Sequence, residues 1–216
     1  MMRTFLRRSN SPARALPIGS LLAAVLMSVA ATPPPDLRAQ TAAPARTTSD
    51  PELDRVRAAL EKYRDPIVAV HDGYFSTLAC IDFPVAGGPG RVPYPAGGMG
   101  VHFFNGTLVG PDLDPLRPQV LLYTVQGDKL ELAGAEWFVP LAVGVKERPR
   151  LFGRPFDGPM EGHHPLMPAA MHHYDLHVWL WKKNPAGMFS PTNPDLKCPA
   201  TGYALAEAAP RLVPGP

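Results

Sequence analysis

Hydrophobic positions along the chain change period twice. Leu53, Val56, Leu60 and Tyr63 recur at helical spacing after Ser49-Asp-Pro-Glu52, where Ser49 or Asp50 can cap and Pro51 sits in the first turn. Asp65-Pro66 interrupts this helix and opens a second, short one that stops before Gly73. From Pro84 to Gly100 glycine and proline dominate, which predicts a long loop of the kind that carries function. Beyond it the period shortens. Gln119-Val-Leu-Leu-Tyr-Thr-Val125 and Lys129 to Val139, joined by Gln126-Gly-Asp128, predict a hairpin. Tyr174-Asp-Leu-His-Val-Trp-Leu-Trp181 predicts a third strand, and Val101 to Val109 a fourth. Gly97-Gly98, Asn184-Pro185 and Asn193-Pro194 read as turns. The expected fold is mainly β, a sandwich or barrel-like sheet with one or two N-terminal helices.

The first 39 residues stand apart. Arg3, Arg7, Arg8 and Arg14 precede the apolar run Ile18-Gly-Ser-Leu-Leu-Ala-Ala-Val-Leu-Met-Ser-Val-Ala-Ala31, the pattern of a secretory signal peptide cleaved near Ala30 or Ala39. The run is short for a bilayer span, so no stable membrane insertion is expected once the signal is removed. Residues 40–49 read as a flexible lead-in and 50–216 as a single globular domain. The expected location is periplasmic or extracellular.

Export changes the charge argument. Residues 1–40 hold five arginines and one acid, and the remainder has 16 basic and 18 acidic residues, a net of −2. Nothing in that balance asks for nucleic acid as a partner. Two cysteines, Cys80 and Cys198, form the simplest disulfide pair in an oxidising compartment. Two separate thiols, or cysteine ligation of a metal, are the alternatives.

Candidate chemistry concentrates late in the chain. Five of seven histidines lie between His163 and His177, with Met167 and Met171 among them and Met160 just ahead. Imidazole and thioether groups suit soft-to-borderline metals. On the third strand His173, Asp175, His177, Trp179 and Trp181 share a face. Residues two apart lie ~6.6 Å from each other, so Asp175 can share an ion with His173 or with His177. Four apart is ~13 Å, so His173 and His177 make a poor chelate on a straight strand. Without an ion, His177 would be a core histidine bonded to a carbonyl. Glu136 alternates with Leu130, Leu132, Gly134 and Phe138 on one face, and a buried carboxylate needs a cation, a metal or several donors. A salt bridge to Arg or Lys, or a wet edge strand, would also account for it. His102 follows the glycine-rich loop, as a ligand or as a half-exposed turn residue. His163, His164 and His172 fall in proline-interrupted loop, and of these His163 is a secondary candidate. His71 at a helix C-terminus needs no function.

From Tyr63 to Cys198 the chain resembles a family of exported bacterial proteins to which no activity attaches. The residues that carry the resemblance are Asp72-Gly-Tyr74, Gly98-Met-Gly-Val-His102, Leu132-Ala-Gly-Ala-Glu136 and His177-Val-Trp-Leu-Trp-Lys-Lys-Asn-Pro-Ala-Gly-Met-Phe189. The resemblance implies an extracytoplasmic protein and makes His102, Glu136 and His177 a set. Two imidazoles and a carboxylate suit zinc, copper or iron. Three functions follow: a transition-metal-binding protein, a metal-free binding or structural module of the cell envelope, or a metal-dependent hydrolase or oxygenase acting on a small molecule. No Gly-x-Ser-x-Gly, His-Glu-x-x-His, Walker or dinucleotide fingerprint names an enzyme class.

Overall fold

A computed structural model describes residues 50–200 and 203–216. The expected signal peptide and lead-in lie outside the described residues. Helix α1 spans Pro51–Leu60 and runs on as a tighter turn, Glu61–Arg64. Asp50, not Ser49, caps it by accepting from the amides of Glu52 and Leu53. Helix α2 spans Pro66–His71, with Asp65 accepting from the Ile67 amide. Both caps satisfy amides that a helix start leaves without partners.

Among the described residues nine strands follow. They are β1 (Phe75–Phe83), β2 (Gly97–Phe104), β3 (Val120–Gln126), β4 (Lys129–Pro140), β5 (Arg150–Leu151), β6 (Arg154–Pro155), β7 (Asp157–Met160), β8 (His173–Val178) and β9 (Ala204–Ala206). Seven form one sheet in the order β7-β8-β4-β3-β2-β1-β9, and β5 with β6 makes a small ribbon. The fold is mainly β, and of the two expected forms the sheet takes the barrel-like one, a curled half-barrel.

Several elements differ from expectation for local reasons. Strand β2 begins at Gly97, inside the expected loop and turn, because Gly97 and Gly98 pair with Phe83 and Asp82 of β1, and Gly98 also bridges to Asn193. A Cβ on Gly98 would lie 2.2 Å from the Leu196 side chain, and one on Gly100, at φ +88°, would lie 2.3 Å from the Tyr123 carbonyl oxygen. These glycines permit close backbone approach rather than a turn. Strand β1 carries no clean alternation, since its register shifts between Ser76 and Cys80 and again between Ile81 and Asp82. Strand β8 ends at Val178, and Trp179 donates its amide to Met188 instead.

A bulge sorts the faces of β4. Leu122 pairs with Gly134 but Tyr123 pairs with Leu132, which leaves Ala133 extra. Leu132 therefore joins the face opposite Glu136, contrary to simple alternation. That face, with Tyr123, Trp137, Leu176 and Val178, shares the main core with Leu53, Val56 and Leu60 of α1. The Tyr123 hydroxyl donates to the Tyr63 carbonyl at 2.6 Å and ties helix to sheet. On the other face two smaller clusters form, one around Phe83, Tyr94 and Met99, the other around Val120, Leu122 and Phe138. Cys80 of β1 is disulfide-bonded to Cys198, just ahead of β9, which pairs in parallel with β1. Among the described residues no helix is long and apolar enough to cross a membrane.

Candidate metal centre

Strand register places the candidate ligands. Glu136 on β4 is the direct partner of His177 on β8, with β3 on its other side, so it sits in the sheet interior and not at an edge. His102 on β2 pairs with Leu122 of β3, and Val120 of β3 pairs with Glu136. His102 thus reaches Glu136 across an intervening strand, a backbone span of about 10 Å. Long polar side chains on one face can close that span, while Leu122 and Val120 lie beneath.

The three side chains converge. His102 Nε2 lies 3.4 Å and His177 Nε2 3.5 Å from the same oxygen, Oε2 of Glu136. Tetrahedral bonds of ~2.0–2.2 Å give ligand-to-ligand edges of about 3.3–3.6 Å. Both separations fall on that edge. All three residues are buried, and His102 Nδ1 and both nitrogens of His177 lack hydrogen-bond partners. Glu136, 6 % exposed, has no Lys or Arg within ion-pair distance among the described residues, and none lines the cavity beside it. A buried ion without a partner costs roughly several kcal/mol, so Glu136 is balanced either by a protonated imidazole or by a bound cation.

A second set adjoins the first. His163, His173 and Asp175 offer ligand atoms within 4.8 Å of one another, as do His102, Glu136 and His177. His173 thus parts from His177, four residues along β8, and each joins a different group. Asp175 stands between them. Its Oδ2 lies 3.8 Å from His173 Nε2 and accepts from the Tyr94 hydroxyl at 3.2 Å, and its Oδ1 lies 3.8 Å from His177 Nδ1. His163 is drawn out of the proline-rich loop into the interior, its ring stacked on Tyr94 and its Nδ1 3.3 Å from Glu207.

Burial lowers the His177 pKa although Glu136 and Asp175 pull the other way. Burial pushes Glu136 and Asp175 up, but the facing histidines outweigh it and both stay below the usual carboxylate range. Asp157, opposite Asp175 on β7, is raised to about 7 by burial and by the Asp175 charge.

Tyr94, Glu207 and Asp157 do not stand out in the sequence. Tyr94 lies in the expected functional loop, so its Pro93-Tyr94-Pro95 setting was the one usable signal. Trp179 and Trp181 do not continue the β8 ligand face. Trp179 packs in the main core, donating to the Ser190 carbonyl at 2.6 Å, and Trp181 donates to Glu61. His71 is exposed beside Asp72.

Both sets line one cavity of about 250 Å³. Its remaining walls are apolar, chiefly Phe104, Phe138, Leu166, Met167 and Met171. No family model, curated protein or solved structure matches the chain.

Proposed function

We propose that this is an exported protein that binds one transition-metal ion through His102, Glu136 and His177, with a coordination position left open to the cavity. The observation that carries the reading is the pair of 3.4 and 3.5 Å separations about Glu136 Oε2, in a pocket lined by no Lys or Arg. Zinc, iron and copper all accept two imidazoles and a carboxylate. An open position beside an apolar-walled cavity supports metal-assisted hydrolysis or oxygenation of a small, largely apolar molecule. Export is supported by the basic, then apolar N-terminal pattern, by the disulfide and by the resemblance to exported bacterial proteins.

A metal-free binding module of the cell envelope is the second reading, favoured by the apolar walls of the same cavity. Elemental analysis of untagged protein from the envelope fraction separates the two. Stoichiometric zinc, copper or iron that falls by one equivalent in Glu136→Gln and His177→Gln supports the centre. Metal-free protein that also fails to take up added Zn²⁺, Cu²⁺ or Fe²⁺ overturns it in favour of the binding module.

A further inference from the structure

The segment between β7 and β8 supplies both a ligand and a wall. It carries His163 together with Leu166, Met167 and Met171, which cover the cavity. At its ends the Glu161 amide donates to the Arg211 carbonyl at 3.0 Å and the His172 carbonyl accepts from the Leu141 amide at 2.9 Å, while between them the backbone bonds are local, such as the Met167 amide to the His163 carbonyl at 2.7 Å and the Met171 amide to the Pro168 carbonyl at 2.9 Å. A ligand bond from His163 would tie the middle of the segment to the sheet.

The second set has the outer-partner arrangement of a metal site. His173 Nδ1 donates to the Met171 carbonyl at 3.2 Å, which fixes the tautomer and leaves the Nε2 lone pair facing Asp175. At 3.8 Å, Nε2 and the Asp175 oxygen are too far apart for a hydrogen bond, and both are acceptors in that tautomer. An ion between them resolves the opposition. His163 also has a carboxylate beside its Nδ1, Glu207 at 3.3 Å, and its ring lies 5.3 Å from that of His173. Carboxylates and carbonyls on the far nitrogen are the usual outer partners of metal-binding histidines.

We propose that His163, His173 and Asp175 hold a second metal ion, which pins residues 161–172 over the cavity. Asp175 Oδ1 lies 3.8 Å from His177 Nδ1, so the charge of the same ion acts on a ligand of the first centre. The ligands of the second ion stand on their own geometry, and only the coupling rests on the proposed function above.

Co²⁺ titration of chelator-treated protein, followed by absorption and by hydrogen exchange of residues 161–172, tests this. The variants are Glu136→Gln and the loop variant His163→Gln, each checked for folding by circular dichroism. The expected result is two equivalents in the wild type and one in each variant. Segment exchange should slow by at least ~tenfold with Co²⁺ in the wild type and Glu136→Gln, but not in His163→Gln. One equivalent, kept in His163→Gln and lost in Glu136→Gln, overturns the second ion and leaves the first. The reverse pattern overturns the first and leaves the second. No binding overturns both. Two equivalents with unchanged segment exchange overturn the pinning.

Discussion

His177 is held between two carboxylates, with Nε2 3.5 Å from Glu136 and Nδ1 3.8 Å from Asp175. The first contact crosses the β4–β8 ladder and the second runs along β8, where Asp175 is two residues away. At 3.8 Å Asp175 makes no hydrogen bond to the ring and acts on it through its charge. Asp175 is therefore expected to tune the first centre electrostatically even though it is not one of its ligands.

Metal should stabilise the fold. At a free Zn²⁺ concentration 100 times Kd, binding contributes ~2.7 kcal/mol, which for a domain of this size is a rise in Tm of roughly 5–11 °C. Glu136→Gln should remove the part of that rise contributed by the His102–Glu136–His177 centre. Without metal the same variant should melt at or above the wild type, because it removes a buried charge. Thermal melts with and without Zn²⁺ check both, and a wild-type Tm that Zn²⁺ does not move would count against the centre.

Gly100→Ala is expected to destabilise by roughly 2–4 kcal/mol. A side chain at φ +88° is strained, and its Cβ would fall 2.3 Å from the Tyr123 carbonyl oxygen. His102 is two residues further along the same strand, so metal affinity should drop with stability. Urea unfolding and Zn²⁺ titration of the variant read the two effects separately.

Reducing the disulfide should cost ~4–5 kcal/mol on the chain-entropy model, since Cys80 and Cys198 are 118 residues apart. The corresponding fall in Tm is roughly 10–20 °C. Melting of Cys80→Ser/Cys198→Ser beside the oxidised wild type measures it, and equal Tm values would contradict it.

Acid should weaken the junction of the two helices through Asp72. Its carboxyl accepts from Lys62 at 2.6 Å and from the Tyr63 hydroxyl at 3.1 Å. Lys62, with His71 and Tyr63 assisting, lowers its pKa to about 2. A folded pKa below the unfolded value gives stability that is complete above pH ~4 and is lost as pH falls toward 2. Unfolding curves across that window should show a smaller decline for Asp72→Asn than for the wild type.

Much of this fold was legible in local pattern. Helix spacing in Leu53, Val56 and Leu60, the caps at Asp50 and Asp65, and the β3–β4 hairpin all follow from neighbours within a few residues. Strand β1 was not legible, because its register slips break the alternation that marks a strand. Leu132 was assigned to the wrong face because the bulge at Ala133 reverses the parity, and a bulge leaves no mark in hydrophobic period.

Sequence alone determined which residue types were available: four imidazoles and two carboxylates near strands, and two cysteines able to pair. Spacing on a straight strand also separated His173 from His177, because ~13 Å exceeds any shared coordination sphere. Tertiary structure decided the groups themselves. Glu136 meets His102 only because β2 and β4 flank β3, and it meets His177 only because β8 pairs with β4 across 41 residues of chain. His163, Tyr94 and Glu207 come from loops and the C-terminal segment, whose positions depend on packing against the sheet. Ligation needs atoms within a few ångströms, and for residues far apart in the chain that proximity is a property of the folded core, not of the local pattern.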